Sequence, residues 1–168
     1  MLATILNCLV KFVGFVDNIS AIIERIMPFF KAKKKIITIN ETTKLYKSPS
    51  QNGNFTFDYS NNNGEYVIGD GETSFTTKWS KASDTSIHAY KDGKGITAIA
   101  LRKGVENIDS IENIEGDFSS RCRTAQIGDA IIWKNVNGRT AITKVISIKD
   151  DTRGDSQDEL TCEYYIFK

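Results

Sequence analysis

Only two prolines interrupt a chain of 168 residues, histidine occurs once, and the longest run without a charged residue is ten residues. Each scarcity excludes something. So little proline, with twelve glycines, argues against a linker-rich or collagen-like chain. A membrane-spanning helix needs about 20 predominantly apolar residues, more than any run here supplies. Single-sign charge is also lacking: 22 basic and 21 acidic residues leave a net charge of +1. A protein that neutralises many phosphates is usually far more basic, so nucleic acid is not an expected partner. Cysteine occurs three times, as Cys8, Cys122 and Cys162, an odd number without a CxxC pair. That is no disulfide framework, and His88 is too far along the chain from all three for a zinc motif. The expectation is three reduced thiols and a cytoplasmic protein. No secretory signal is expected, because the first charge, Lys11, follows the N-terminal apolar run instead of preceding it.

What is present falls into two parts, residues 1–35 and 36–168. The first holds six basic and two acidic residues, a balance of +4, and the remainder balances at −3. Through residues 2–30, Leu2, Ile5, Leu9, Phe12, Val16, Ile19, Ile23, Ile26 and Phe30 are spaced by alternating steps of three and four. This is a heptad seam and predicts one long amphipathic helix. Leu6, Val13 and Met27 widen one flank; Cys8, Phe15, Ile22 and Phe29 widen the other. So broad an apolar face needs a partner, and three stay open. Copies of the same helix would make a homo-oligomer. The chain's own second domain is another candidate. A membrane surface is the third, with Lys31, Lys33, Lys34 and Lys35 behind the helix to meet anionic lipid.

From residue 36 the period changes to two. Extended runs are expected at 35–40, 44–47, 55–59, 65–68, 73–79, 86–90, 96–102, 130–134, 140–149 and 160–167. Asn52-Gly53, Asn61-Asn62-Asn63-Gly64, Gly69-Asp70-Gly71, Asp92-Gly93 and Asn137-Gly138 supply turns between them. Val105, Ile108, Ile111 and Ile114 step by three, so a helical turn is an alternative over 105–116. Nine or ten short antiparallel strands predict a mainly β domain, a sandwich or barrel.

Motifs of catalysis are missing. Gly69-Asp70-Gly71 lacks the lysine of a phosphate-binding loop, there is no GxSxG elbow, and His88 is the one imidazole that could serve as base. No enzyme, cofactor or metal is expected. Alternation puts Ser86, His88 and Tyr90 on one face of their strand, with Ile87 and Ala89 on the other. Asp150, Asp151, Asp155, Asp158 and Glu159 crowd one segment, but without EF-hand spacing and with Lys149 and Arg153 intruding, so a solvated acidic loop is expected. Tyr59, Asn62, Tyr66, Trp79, His88 and Tyr90 concentrate amphipathic rings and an amide within a short stretch. That set suits a flat polar ligand, a sugar or a nucleotide, with a core and rim role as the bland alternative.

The stretch from Phe57 to Gly93, with its words NNNG, KWSKAS and SIHAY, the segment Phe118–Asn135 and the segment Ile148–Ile166 together resemble a β-rich accessory module found beside TIR domains in bacterial proteins. The likeness covers about two thirds of the chain, from near Phe55 onward. It implies a sensor or binding module of a bacterial signalling or antiphage defence system, with a defence-system protein as partner. No catalytic residues come with it. This chain carries the N-terminal helix where a TIR domain would stand, so NAD cleavage is not implied. Two functions follow. One is a non-enzymatic binding module that self-associates or docks through its helix. The other is a membrane-associated effector whose helix acts on lipid under control of the β-domain.

Overall fold

Residues 46–109, 111 and 114–167 are described by a computed structural model, and they fall within a compact unit spanning Leu45–Lys168. The helix expected over 2–30, its seam and the strand expected at 35–40 lie outside the described residues. The unit is mainly β, with ten strands in two five-stranded sheets, arranged like a sandwich. In chain order the strands are β1 (Lys47–Ser48), β2 (Asn52–Phe57), β3 (Glu65–Ile68), β4 (Phe75–Lys81), β5 (Ser86–Tyr90), β6 (Ile96–Arg102), β7 (Cys122–Gln126), β8 (Ala130–Asn135), β9 (Thr140–Lys149) and β10 (Glu159–Ile166). The first sheet runs β1-β3-β4-β5-β7 and the second β2-β10-β9-β8-β6. Among the described residues, no helix is long and apolar enough to cross a membrane.

Pairing is antiparallel except at one place. β1 lies parallel to β3, Lys47 beside Val67 and Ser48 beside Ile68, a departure from the all-antiparallel expectation. A second correction concerns Asn52-Gly53, which is not a turn but the start of β2, paired with Tyr165 and Tyr164. Gly53 has φ of +146°, a backbone conformation that side-chain-bearing residues rarely adopt, which is why glycine stands there.

The period-two pattern becomes a core between the sheets. Tyr66, Phe75, Trp79 and Ile87 from the first sheet meet Phe55, Trp133, Val145, Leu160 and Tyr164 from the second, all buried. Trp79 and Trp133 meet edge to face at 5.3 Å across the interior. Burying an indole N–H without a partner is unfavourable. Two buried threonines supply the acceptors: Trp79 donates to Thr77 Oγ1 at 2.8 Å and Trp133 to Thr143 Oγ1 at 2.9 Å.

The segment between β6 and β7 forms neither strand nor helical turn among the described residues. Val105, Ile108 and Ile111 instead bury themselves against Ala100, Ala130, Ile132 and Ile142, with Ile114 and Phe118 at the margin. These partners belong to β6, β8 and β9, so the segment is a strap over the outer side of the second sheet. Its three-residue spacing serves to anchor that strap. The outer side of the first sheet carries Lys78, Ser80, His88, Tyr90, Cys122 and Thr124, none of them buried.

Candidate functional site

The first sheet's outer face gains relief from the loop before β3. Asn62 and Asn63 adopt left-handed backbone (φ 49° and 58°), and Gly64 follows at φ 69°. A Cβ on Gly64 would sit 2.0 Å from the carbonyl oxygen of Trp79, so only glycine lets the loop lie this close against β4. Asn62 Nδ2 donates to the Glu65 carbonyl at 2.9 Å, and Asp58 accepts from the Ser60 backbone N–H at 2.9 Å, which fixes the loop from both ends.

Between this loop and the far strands opens a cleft of about 460 Å³, lined by Tyr59, Ser60, Asn63, Lys78, Trp79, Ser80, Tyr90, Asp92 and Arg121. Pairing of β4 with β5 sets Lys78 opposite Tyr90, and pairing of β5 with β7 sets Tyr90 opposite Cys122, which brings Arg121 alongside. Tyr90 OH and Ser80 Oγ share a hydrogen bond of 3.1 Å. Arg121 grips Asp92 in a two-pronged pair, Nε to Oδ1 at 2.9 Å and Nη2 to Oδ2. That guanidinium holds the Asp92 carboxyl below the usual carboxylate range. Lys78 faces Glu65 at 3.5 Å, a loose pair.

The residues expected to form one ligand surface are divided by this geometry. Tyr90 lines the cleft. His88 lies on the same face but bonds Thr124 Oγ1 through Nδ1 at 2.9 Å and meets Tyr90 edge-on at 6.2 Å. Tyr66 is inside, stacked on Phe55 at 4.2 Å with its hydroxyl on Ser48. Trp79 contributes to the cleft floor while its ring lies against Trp133 in the core. Tyr59 is 4% exposed. Asn62 holds the loop and is not among the lining residues. Ser80, a polar neighbour of those rings in the sequence, lines the cleft, and so do Lys78, Asp92 and Arg121, which the sequence does not mark as ligand-binding. Asp92 and Arg121 are 29 residues apart, and only the pairing of β5 with β7 brings them together.

The acidic segment is exposed over residues 151–157, as expected of a solvated loop, but the carboxylates on either side of that stretch are not. Asp150 is fully buried and Asp158 nearly so, and together with Asp151 they surround the Lys81 ammonium at 2.8, 3.0 and 2.7 Å. Lys81 has the inward parity of Phe75, Thr77 and Trp79, and it emerges at the end of β4 against the β9–β10 loop. Arg153 adds a second cation to Asp150. The Tyr59 hydroxyl donates to Asp158 Oδ1 at 3.1 Å and to the Lys149 carbonyl at 2.8 Å. Burial pushes the Asp150 carboxyl up, but hydrogen bonds from Lys81, Thr152 and Arg153 outweigh it and hold it well below the usual range. Asp158 is also lowered, burial being overcome by Lys81, the Asp151 N–H and Tyr59. Hydrogen bonds to Asp150 and Asp151 raise Lys81, while burial and then the charge of Asp158 raise Tyr59. Among the described residues these three carboxylates form the one group close enough to share a metal ion, their ligand atoms within 4.8 Å of one another. The ammonium of Lys81 sits among them, which makes the cluster a lock between the two sheets.

Cys162 is buried in the core and its thiol is pushed up by burial; Cys122 is half-buried on the outer face, and both are free. The chain matches no protein-family model, no curated protein and no solved structure, so the cleft and the lock are read from their own geometry.

Proposed function

We propose that this protein is a non-enzymatic binding or sensor module whose β-domain takes a small polar ligand on the outer face of its first sheet. The observation that carries this reading is the cleft of about 460 Å³, in which Tyr90 offers a ring and Lys78, Ser80, Asp92 and Arg121 offer donors and acceptors. A concave site with few convergent polar groups is the usual form of a small-ligand site. His88 and its partner Thr124 are not among the residues that line the cleft. An imidazole outside the cleft offers no base to a ligand within it, which supports binding over nucleophilic catalysis there. Titration of the full chain with a panel of sugars and nucleotides, followed by hydrogen–deuterium exchange, tests the reading. At least one compound should protect β4 and β5, and Ser80→Trp, which fills the cleft, should weaken it at least tenfold. Heat and protection both unchanged across the panel would end the proposal.

The resemblance to TIR-associated modules supports a place in a bacterial defence or signalling system, with residues 1–35 as the assembly element. Replacing Phe12 and Ile19 together by aspartate puts two charges into the seam, and buried unpaired charges are strongly disfavoured. The double variant should elute as a monomer in size exclusion with light scattering while wild type elutes as an oligomer. Monomeric wild type at high concentration would count against self-association. Flotation of wild type with anionic liposomes, abolished in the double variant, would favour the membrane-associated effector.

A further inference from the structure

We infer that the ligand of the outer-face cleft is a neutral carbohydrate, bound with one pyranose face on Tyr90 and a pair of adjacent hydroxyls on the Asp92–Arg121 pair. The inference rests on the cleft being a ligand site and adds its chemical class. Three features of the lining select among polar ligands.

The first is charge. Each cation at the cleft already has a carboxylate: Lys78 faces Glu65 at 3.5 Å, and Arg121 holds Asp92 through two nitrogens. The local field is therefore close to balanced. A phosphate or carboxylate approaching either cation would meet the carboxylate already bound to it, and like charges brought together are disfavoured. A neutral ligand displaces neither.

The second is the number of rings. Three aromatic residues line the cleft, but Trp79 is 1% exposed and Tyr59 is 4% exposed, so Tyr90 alone can offer an open ring face. A nucleotide base gains most between two flat groups. A sugar needs one, because its polarised C–H groups sit against the negative face of a single aromatic ring.

The third is the bonding pattern of Asp92 and Arg121. Arg121 spends Nε and Nη2 on Asp92, which leaves its Nη1 edge as a donor. Asp92 keeps lone pairs as an acceptor, and its side chain is 30% exposed. A fixed acceptor beside a fixed donor is matched by two adjacent hydroxyls, one donating to the carboxylate and the other accepting from the guanidinium. The hydroxyls of Ser80 and Tyr90, 3.1 Å apart, add a switchable donor–acceptor pair close by.

Calorimetric titration of the full chain with maltose, cellobiose and diacetylchitobiose, against AMP and glucose 6-phosphate, decides the matter. At least one neutral disaccharide should bind, with affinity changed less than twofold between about 0.05 and about 0.5 M salt, as screening leaves a neutral ligand untouched. Tyr90→Ala and Asp92→Asn should each weaken it at least tenfold. Tyr90→Phe keeps the ring and should retain affinity within threefold, which separates loss of stacking from loss of fold. Binding of AMP or glucose 6-phosphate alone, falling with salt and lost in Ser80→Trp, would overturn the carbohydrate assignment and leave the cleft reading intact. Absence of binding by all five compounds would overturn both.

Discussion

In the Lys81→Met variant, the β-domain should unfold at a temperature on the order of 10 °C lower than wild type. Removing one partner of a buried ion pair leaves the other charge uncompensated. Here three partners are left at once, among them the fully buried Asp150 and the nearly buried Asp158. Arg153 still neutralises Asp150 in part. By contrast, Lys47→Met at the exposed Lys47–Asp70 pair should change the melting temperature little. The pH dependence follows from the direction of each shift. Asp150 and Asp158 are lowered in the folded chain, so their stabilisation is complete above the unfolded carboxylate range near about 4 and is lost as pH falls toward their folded values. Lys81 and Tyr59 are raised, so their contribution is complete below about pH 10 and declines as pH rises beyond it. Without Lys81 the buried carboxylates prefer to be protonated. The deficit of Lys81→Met against wild type should therefore shrink as pH is lowered toward about 3. Melting curves followed by circular dichroism across pH check each part. An unchanged melting temperature at neutral pH would mean that Arg153 suffices for Asp150.

Trp133→Ala should cost about 3–5 kcal/mol. The side chain is fully buried, meets Trp79 edge to face at 5.3 Å, and donates to Thr143 at 2.9 Å. Truncation removes the packing of both indoles and strands the buried Thr143 hydroxyl. A typical domain has about 5–15 kcal/mol in all, so the loss is a large share of the total. Urea titration should show a lower midpoint with an unchanged slope. A loss below about 1 kcal/mol would mean that the core refills the space, contrary to its two-sheet packing. Trp133→Phe keeps most of the volume and should cost less than half as much.

Much of this architecture could be read along the chain, and the parts that could not share a cause. β3, β5, β6 and β9 carry β-branched or aromatic residues between turn residues, and each stands at its expected place. β7 escaped notice because Cys122–Gln126 is polar and contributes only Ala125 to the buried set. An edge strand has one neighbour and needs little apolar signal. Missing β7 also hid the cleft, since Arg121 reaches Asp92 only through that strand. The outward side of His88 and Tyr90 was legible from alternation, whereas Tyr66 and Trp79 gave no sign that their polar tips would be satisfied indoors by Ser48 and Thr77. The acidic loop misled for the opposite reason. Its carboxylates look solvated until Lys81, 70 residues away from Asp151, is counted along β4 from Phe75 and found to point the same way.

The placement of β2 beside β10 has a consequence for the order of assembly. Thr56 bonds Thr161 across 105 residues, and the Ile166 N–H reaches the Gln51 carbonyl at 2.8 Å. During synthesis β2 is among the first strands to leave the ribosome and the last to find its neighbour. The hairpins β3–β4–β5 and β8–β9 can form as soon as they emerge, because their pairings are local. Phe55 and Phe57 must wait in water until the far end of the domain has been made. Long-range closure of this kind slows folding, and an unpaired apolar strand is open to pairing with another chain meanwhile. The alternation in β2 of Asn54 and Thr56 with its two phenylalanines leaves one polar side to that waiting strand.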